Sequence, residues 1–302
     1  MGSIILIFIC LFAGVALRRI KKVPANAHVA LNQFAIYISL PALSLYYIPK
    51  IKIDTSLLYP AGVAWIGFLL SWLFFTSLSK IFLWPRKLTG CLILLGGLGN
   101  TSFIGYPVIQ ALYGQDGLKV AIITDQPGSF VVLSTLGIFT ALKFSGKRVA
   151  GIDLLKNILF FPPFVGFFIG LCLNISGFDF IPLFQDIFLR LGNTVTAIAL
   201  VAVGLQLKID IKSRHWKFLW LGLLFKLIIT PLVIFILYYW VFGHSGQAMH
   251  VSVLEAAMPP MITAAILASA NGLKPKLAGM MIGIGIPLSF LTLALWYIFL
   301  KS

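Results

Sequence analysis

The sequence predicts an all-α membrane protein of ten transmembrane helices. They form two inverted five-helix repeats, with helices four and nine broken and crossing. Three observations carry this expectation. Of 302 residues, 60% are hydrophobic and only 10% charged, with a mean hydropathy of +1.03. A soluble domain of this size needs a charged shell that this composition does not supply. Apolar runs long enough to cross a hydrocarbon core of about 30 Å alternate with short loops. Two of those runs are interrupted at corresponding places: one by Gly96-Gly97-Leu98-Gly99-Asn100-Thr101-Ser102-Phe103-Ile104-Gly105-Tyr106-Pro107, the other by Glu255-Ala256-Ala257-Met258-Pro259-Pro260-Met261-Ile262-Thr263.

Cutting at the loops places spans at about 3–20, 28–48, 57–80, 88–113, 118–142, 154–175, 187–207, 216–240, 247–270 and 275–299. Turn or charge signals separate them, among them Val23-Pro24-Ala25-Asn26, Trp84-Pro85-Arg86, Ser145-Gly146-Lys147 and Asn271-Gly272. No basic segment precedes the first run, and Arg18, Arg19, Lys21 and Lys22 follow it. That order reads as a retained first span rather than a cleaved signal.

The net charge of +15 points to topology, not nucleic acid. Seventeen of the 23 basic residues fall in one set of alternate loops, including Lys80, Arg86, Lys87, Lys147, Arg148, Lys156, Lys208, Lys212, Arg214 and Lys217. The opposite loops hold five (Lys50, Lys52, Lys119, Arg190, Lys301), and Lys226 alone lies within a span. Positive loops stay cytoplasmic, which puts both termini outside. The expected location is an integral plasma membrane, such as a bacterial inner membrane.

Five spans per half is an odd number, so the halves have opposite orientation. Residues 1–146 form the first repeat and 147–302 the second. Leu112-Tyr113-Gly114 corresponds to Ala270-Asn271-Gly272, and Pro127-Gly128-Ser129-Phe130 to Pro287-Leu288-Ser289-Phe290. In that register Asn100-Thr101-Ser102 falls on Met258-Pro259-Pro260. Paired interruptions in inverted halves are the best sequence pointer to a carrier's binding site.

The breaks carry the candidate chemistry. Gly96, Gly97, Gly99 and Gly105 loosen span four. Asn100, Thr101 and Ser102 are good N-caps for a half-helix running to Tyr113, and Pro107 withholds a donor from Phe103. Pro259 and Pro260 suit the first turn of a second half-helix. Two half-helix N-termini at mid-depth favour an anion. The substrate-binding candidates are therefore Asn100, Thr101, Ser102, Pro259, Pro260 and Thr263, with Tyr106 and Gln110 as weaker ones.

Ionisable residues inside a membrane are costly, so they default to functional hypotheses. Asp125 (with Gln126 beside it), Glu255 and Lys226 qualify, as a site coupling H⁺ or Na⁺ or as a structural ion pair. Cys10, Cys91 and Cys172 read as small core residues. Gly166-x-x-x-Gly170 and Gly279-x-x-x-Gly283 read as close helix packing. No metal spacing, phosphate-cradling glycine loop or catalytic constellation is present, so neither a metal nor an organic cofactor is expected, nor an enzyme.

At Gly99-Asn100-Thr101-Ser102-Phe103-Ile104-Gly105-Tyr106-Pro107 and Glu255-Ala256-Ala257-Met258-Pro259-Pro260 the chain resembles the auxin efflux carrier family, whose bacterial relatives are often associated with malate or malonate. Leu40-Pro41-Ala42-Leu43 in span two extends the likeness. The resemblance implies a bile-acid-symporter-like fold, with helices 1, 2, 6 and 7 as scaffold and helices 3–5 and 8–10 as a moving bundle. It implies an elevator-type secondary transporter of small organic anions. Asn100 would be the crossover asparagine that meets a carboxylate, and Pro259 the crossover proline. Plant members pair an acid on span three with a lysine on span eight. Lys226 matches the lysine, but span three here has no acid. The implied partners are an organic anion and membrane lipids, with a homodimer compatible. A channel-like or substrate-sensing protein of the same fold is the alternative.

Overall fold

The computed structural model describes residues 2–24, 26–51, 57–146, 160–206 and 215–302. The predicted start of span six and the basic loop residues Lys52, Lys147, Arg148, Lys156, Lys208, Lys212 and Arg214 lie outside these. Among the described residues the structure is helical and has no named strand. In chain order the helical runs are α1 (Gly2–Leu17), α2 (Ala27–Lys50), α3 (Leu58–Ile81), α4 (Arg86–Gly97), α5 (Thr101–Ser145), α6 (Pro162–Ile175), α7 (Pro182–Gln206), α8 (Trp216–Val241), α9 (Gln247–Ala256), α10 (Ile262–Ala270) and α11 (Pro275–Lys301). Six of them (α2, α3, α5, α7, α8 and α11) are long and apolar enough to cross a membrane. Shorter apolar helices cover Ile5–Leu17 and Pro162–Ile175. The protein is an all-helical membrane protein.

Interruptions fall where the sequence is weakest as a helix. Gly114 takes φ 64°, ψ −153° inside α5, a conformation open to glycine and strained for other residues. Span four stops helically at Gly97 and resumes at Thr101; span nine stops at Ala256 and resumes at Ile262. Wide π-type turns occupy Thr101–Gly105, Thr124–Phe130 and Phe225–Ile229. Such turns leave carbonyls out of the regular ladder and often mark functional positions. Side chains meet some of these groups. Trp296 Nε1 donates to the Leu227 carbonyl at 3.0 Å. That carbonyl lacks its regular i+4 donor because residue 231 is proline.

The chain divides into two compact units. One comprises Met1–Thr55, Ser102–Ile122 and Lys156–Leu207; the other comprises Ser56–Thr101, Ile123–Leu155 and Lys208–Ser302. In the first unit α1 packs on α7 with Gly14 and Gly204 backbone to backbone. A Cβ added to Gly204 would sit 2.9 Å from the Gly14 Cα. Helix α6 lies on α2 through Gly166, whose added Cβ would meet the Pro41 Cα at 2.9 Å, and through Gly170 against Ile48. The Asn174 amide spans the Ile48, Pro49 and Ile51 carbonyls at 2.9, 2.9 and 2.6 Å. It thereby satisfies acceptors at the end of α2.

In the second unit α3 packs against α4, against the Thr124–Phe130 turn and against α9. Two sequence expectations fail here and in the first unit. Nothing lies within 4 Å of a Cβ added at Gly279, so Gly279-x-x-x-Gly283 is not a close helix contact at its first glycine. Cys172 is exposed, unlike the buried Cys10 and Cys91. On an apolar span, an exposed position serves an apolar side chain as well as a core one does.

Candidate functional site

The two breaks in the second unit lie side by side and pair through their backbones. Asn100 N donates to the Pro259 carbonyl at 2.8 Å, and Met261 N donates to the Leu98 carbonyl at 3.0 Å. Gly99 and Pro260 face each other as an isolated antiparallel bridge. The bonds come from residues flanking that pair, so the N–H that proline lacks is not needed. Leu98 is extended, at φ −107°, ψ 122°. Met258 and Pro259 each precede a proline, which disfavours helix there and favours extended chain. The extended stretch delays the second half-helix. It begins at Ile262 after an extended Met261 N-cap without a side-chain cap. Pro259 and Pro260 therefore precede the first turn of α10 rather than forming it.

Around this pairing sits a buried polar group. Lys226, 2% exposed, donates from Nζ to the Ala256 carbonyl at 2.8 Å. Ala256 ends α9, so an ammonium covers the negative end of a half-helix. The Lys226 side chain passes close to Gly99, where an added Cβ would lie 3.0 Å from Nζ. A side chain at position 99 would crowd the lysine at its ammonium end. Asp125 accepts from the Thr101 hydroxyl at 2.5 Å and from Gln126 Nε2 at 2.9 Å. Glu255, 1% exposed, has no hydrogen-bond partner on either carboxylate oxygen among the described residues. It lies within electrostatic reach of Asp125 and Lys226. Ion pairs are also found elsewhere, among them Lys50–Asp179, Lys119–Asp116 and Arg190–Asp186.

The structure thus gathers Asn100, Thr101, Asp125, Gln126, Lys226, Glu255, Pro259 and Pro260 in one unit, all of them buried. Thr263, the second residue of α10, is exposed, and Ser102 is half-buried and belongs to the other unit, as do Tyr106 and Gln110. Sequence reasoning missed the Ala256 carbonyl as the acceptor of Lys226 and the role of Gly99 in making room for it. Neither has a signal in a single chain, because a backbone acceptor has no residue type. Ionised, two carboxylates and one ammonium leave the group one positive charge short of neutrality. Buried charge without compensation is costly, which suits such a group to a single proton or small cation.

Comparison with known proteins bears on what such a membrane protein is. The model of the membrane transport protein family, which includes the auxin efflux carriers, matches residues 1–297. The chain belongs to that family. An uncharacterized transporter of Methanocaldococcus jannaschii is 28% identical over 274 residues, covering 88% of this chain and 87% of the relative. An uncharacterized transporter of Methanothermobacter thermautotrophicus is 27% identical over an alignment of 312 residues, covering 99% of each. As a member of the membrane transport protein family the chain is a membrane transporter, and both breaks lie inside the matched region.

Proposed function

We propose that this transporter is a secondary carrier of small organic anions, carboxylates such as malate or malonate or auxin-like acids, with the substrate held at the paired breaks. The observation that carries the reading is the backbone pairing of Leu98–Asn100 with Pro259–Met261 beside buried Asp125, Glu255 and Lys226. Irregular backbone at membrane depth is tolerated where it is buried in protein or lines a cavity. In this reading spans four and nine cross at their breaks within a ten-helix inverted repeat, with both termini extracytoplasmic. Asn100 with Thr101, Ser102, Pro259, Pro260 and Thr263 forms the anion site. Asp125, Gln126, Glu255 and Lys226 hold a coupled H⁺ or Na⁺. The bundle of spans 3–5 and 8–10 moves against a scaffold of spans 1, 2, 6 and 7, elevator fashion, to give alternating access.

The test begins with a thermal-shift screen of the purified protein against carboxylates, with and without Na⁺ and across pH. A ligand that binds the folded state raises its apparent stability. The hit is then taken into proteoliposomes. Saturable uptake with counterflow is the expected result, whereas conductance that does not saturate contradicts a carrier and favours a channel of the same fold.

A further inference from the structure

A second feature of the second unit lies beside the breaks, on the far side of Phe225 from Gly96. Between α3 and α8 runs a cleft of about 370 Å³ lined by Leu70, Leu73, Phe74, Phe225, Ile229 and Val233, with Ser77 and Leu78 at one end. Its lining repeats at helical spacing: 70, 73, 74, 77 and 78 on α3, and 225, 229 and 233 on α8. Phe74 and Phe225 stack at 4.8 Å between ring centroids and hold the two helices together along it. Leu73 is 64% exposed, so the cleft opens to the surface at its α3 side. From Leu70 to Leu78 is eight residues, about 12 Å along a helix. That is close to the thickness of one leaflet, half of a hydrocarbon core of about 30 Å.

The cleft has a chemically distinct end. Extending the α3 stripe beyond Ser77 reaches Lys80. Extending the α8 stripe back by two turns from Phe225 reaches Lys217 and Phe218. Lys80 and Lys217 are both exposed, as are Arg86 and Lys87 at the start of α4. Trp84 packs edge-on against Phe218 at 5.3 Å and stacks with Phe82 at 6.1 Å. This contact brings the last turn of α3 and the first turn of α8 to the same end. Aromatic rings of this kind settle at the level of lipid headgroups. Positive potential gathers there as well: burial, and then Lys274 and Lys276, hold the His215 imidazole below its ordinary range. An apolar slot one leaflet long, ending at an aromatic belt and exposed lysines, has the chemistry of one amphiphile.

We propose that the α3–α8 cleft is a binding site for an anionic phospholipid, with an acyl chain along Leu70–Leu78 and the headgroup phosphate at Lys80 and Lys217. The occupant is drawn from the leaflet that meets this basic end. The site is separate from the paired breaks and stands or falls without the carboxylate assignment. It places a lipid against Phe225, the residue before Lys226.

Native mass spectrometry of the whole protein, released from mixed phosphatidylglycerol and phosphatidylcholine micelles, tests this. Wild type should retain phosphatidylglycerol over phosphatidylcholine by about thirtyfold, the order expected for two lysines at a headgroup. The K80Q/K217Q pair should bring that ratio close to one while lipid still binds. Val233→Trp, which fills the slot, should reduce retained lipid of both kinds. Soluble glycerol 3-phosphate should not compete. Unfolding midpoints in lipid-free detergent identify any variant that fails to fold, and Ile229→Phe then replaces Val233→Trp. Equal retention of the two lipids by wild type overturns the proposal, as does a preference that survives K80Q/K217Q or lipid retention that the slot-filling variant leaves unchanged.

Discussion

Two regions of this transporter bring backbones into close approach, and they do so with different consequences. At the α1–α7 contact, Gly14 and Gly204 let two intact helices touch, and the neighbours are Leu11, Val15, Val201 and Leu205. At the paired breaks, Gly99 lets an extended backbone approach Lys226 and the carbonyl of Glu255. The first contact is made of small and apolar groups and can do nothing but pack. The second combines open backbone groups with two carboxylates, an ammonium and an amide. The difference teaches that glycine marks closeness alone, and that function depends on what the closeness admits.

Four substitutions sharpen this contrast, from the largest expected effect to the smallest. Gly204→Val should prevent a stable fold, because the added atoms meet the Leu11 carbonyl and Gly14. Overpacking typically costs about 1–3 kcal/mol and more where backbone is struck. Size-exclusion profiles should show aggregate, and a monodisperse, wild-type midpoint would show that the helices can separate there. Lys226→Met should keep the fold but lose most transport. The Ala256 carbonyl then lacks its donor, at a cost of about 1–3 kcal/mol, measurable as a lower unfolding midpoint beside the uptake assay.

Glu255→Gln changes charge with little change in shape. Transport should keep its substrate preference but lose wild-type dependence on pH or Na⁺. If uptake in this variant and in Asp125→Asn follows the wild-type ion dependence, the buried acids are structural. Gly279→Ala is the mildest. Its Cβ meets nothing within 4 Å, so transport should be unchanged. Stability should rise slightly, by up to about 1 kcal/mol from helix propensity. A loss of stability here would point to a contact made by this face elsewhere.

Much of this was legible in the chain. Composition specifies a helical membrane protein, and loop signals place α3, α8 and α11 within a few residues of their observed bounds. The breaks were legible because glycine and proline act locally: the helix stops at Gly97 and again at Ala256. What was not legible is set by partners remote in sequence. Asn100 meets Pro259 from 159 positions away, and Gly14 meets Gly204 across a similar gap. The glycine spacing at 279 and 283 resembles a packing motif, yet its meaning depends on whether a helix lies opposite. The prolines were expected inside a first turn, where their chemistry fits; pairing with span four instead keeps Pro259 through Met261 extended. Asp125 and Glu255 stood out by charge alone, but only the structure separates them: Asp125 is held by Thr101 and Gln126, and Glu255 by no hydrogen bond among the described residues.

The central claim is that the paired breaks hold the substrate's carboxylate through Asn100. The most direct measurement is calorimetric titration of the carboxylate found in the stability screen into wild type, Asn100→Ala and Gly279→Ala. The account predicts wild-type affinity for Gly279→Ala. For Asn100→Ala it predicts a loss of about tenfold or more, the order expected for a hydrogen bond to a charged group, with an unchanged unfolding midpoint. Equal affinity in all three proteins would contradict it and leave Asn100 as a residue that only begins a helix.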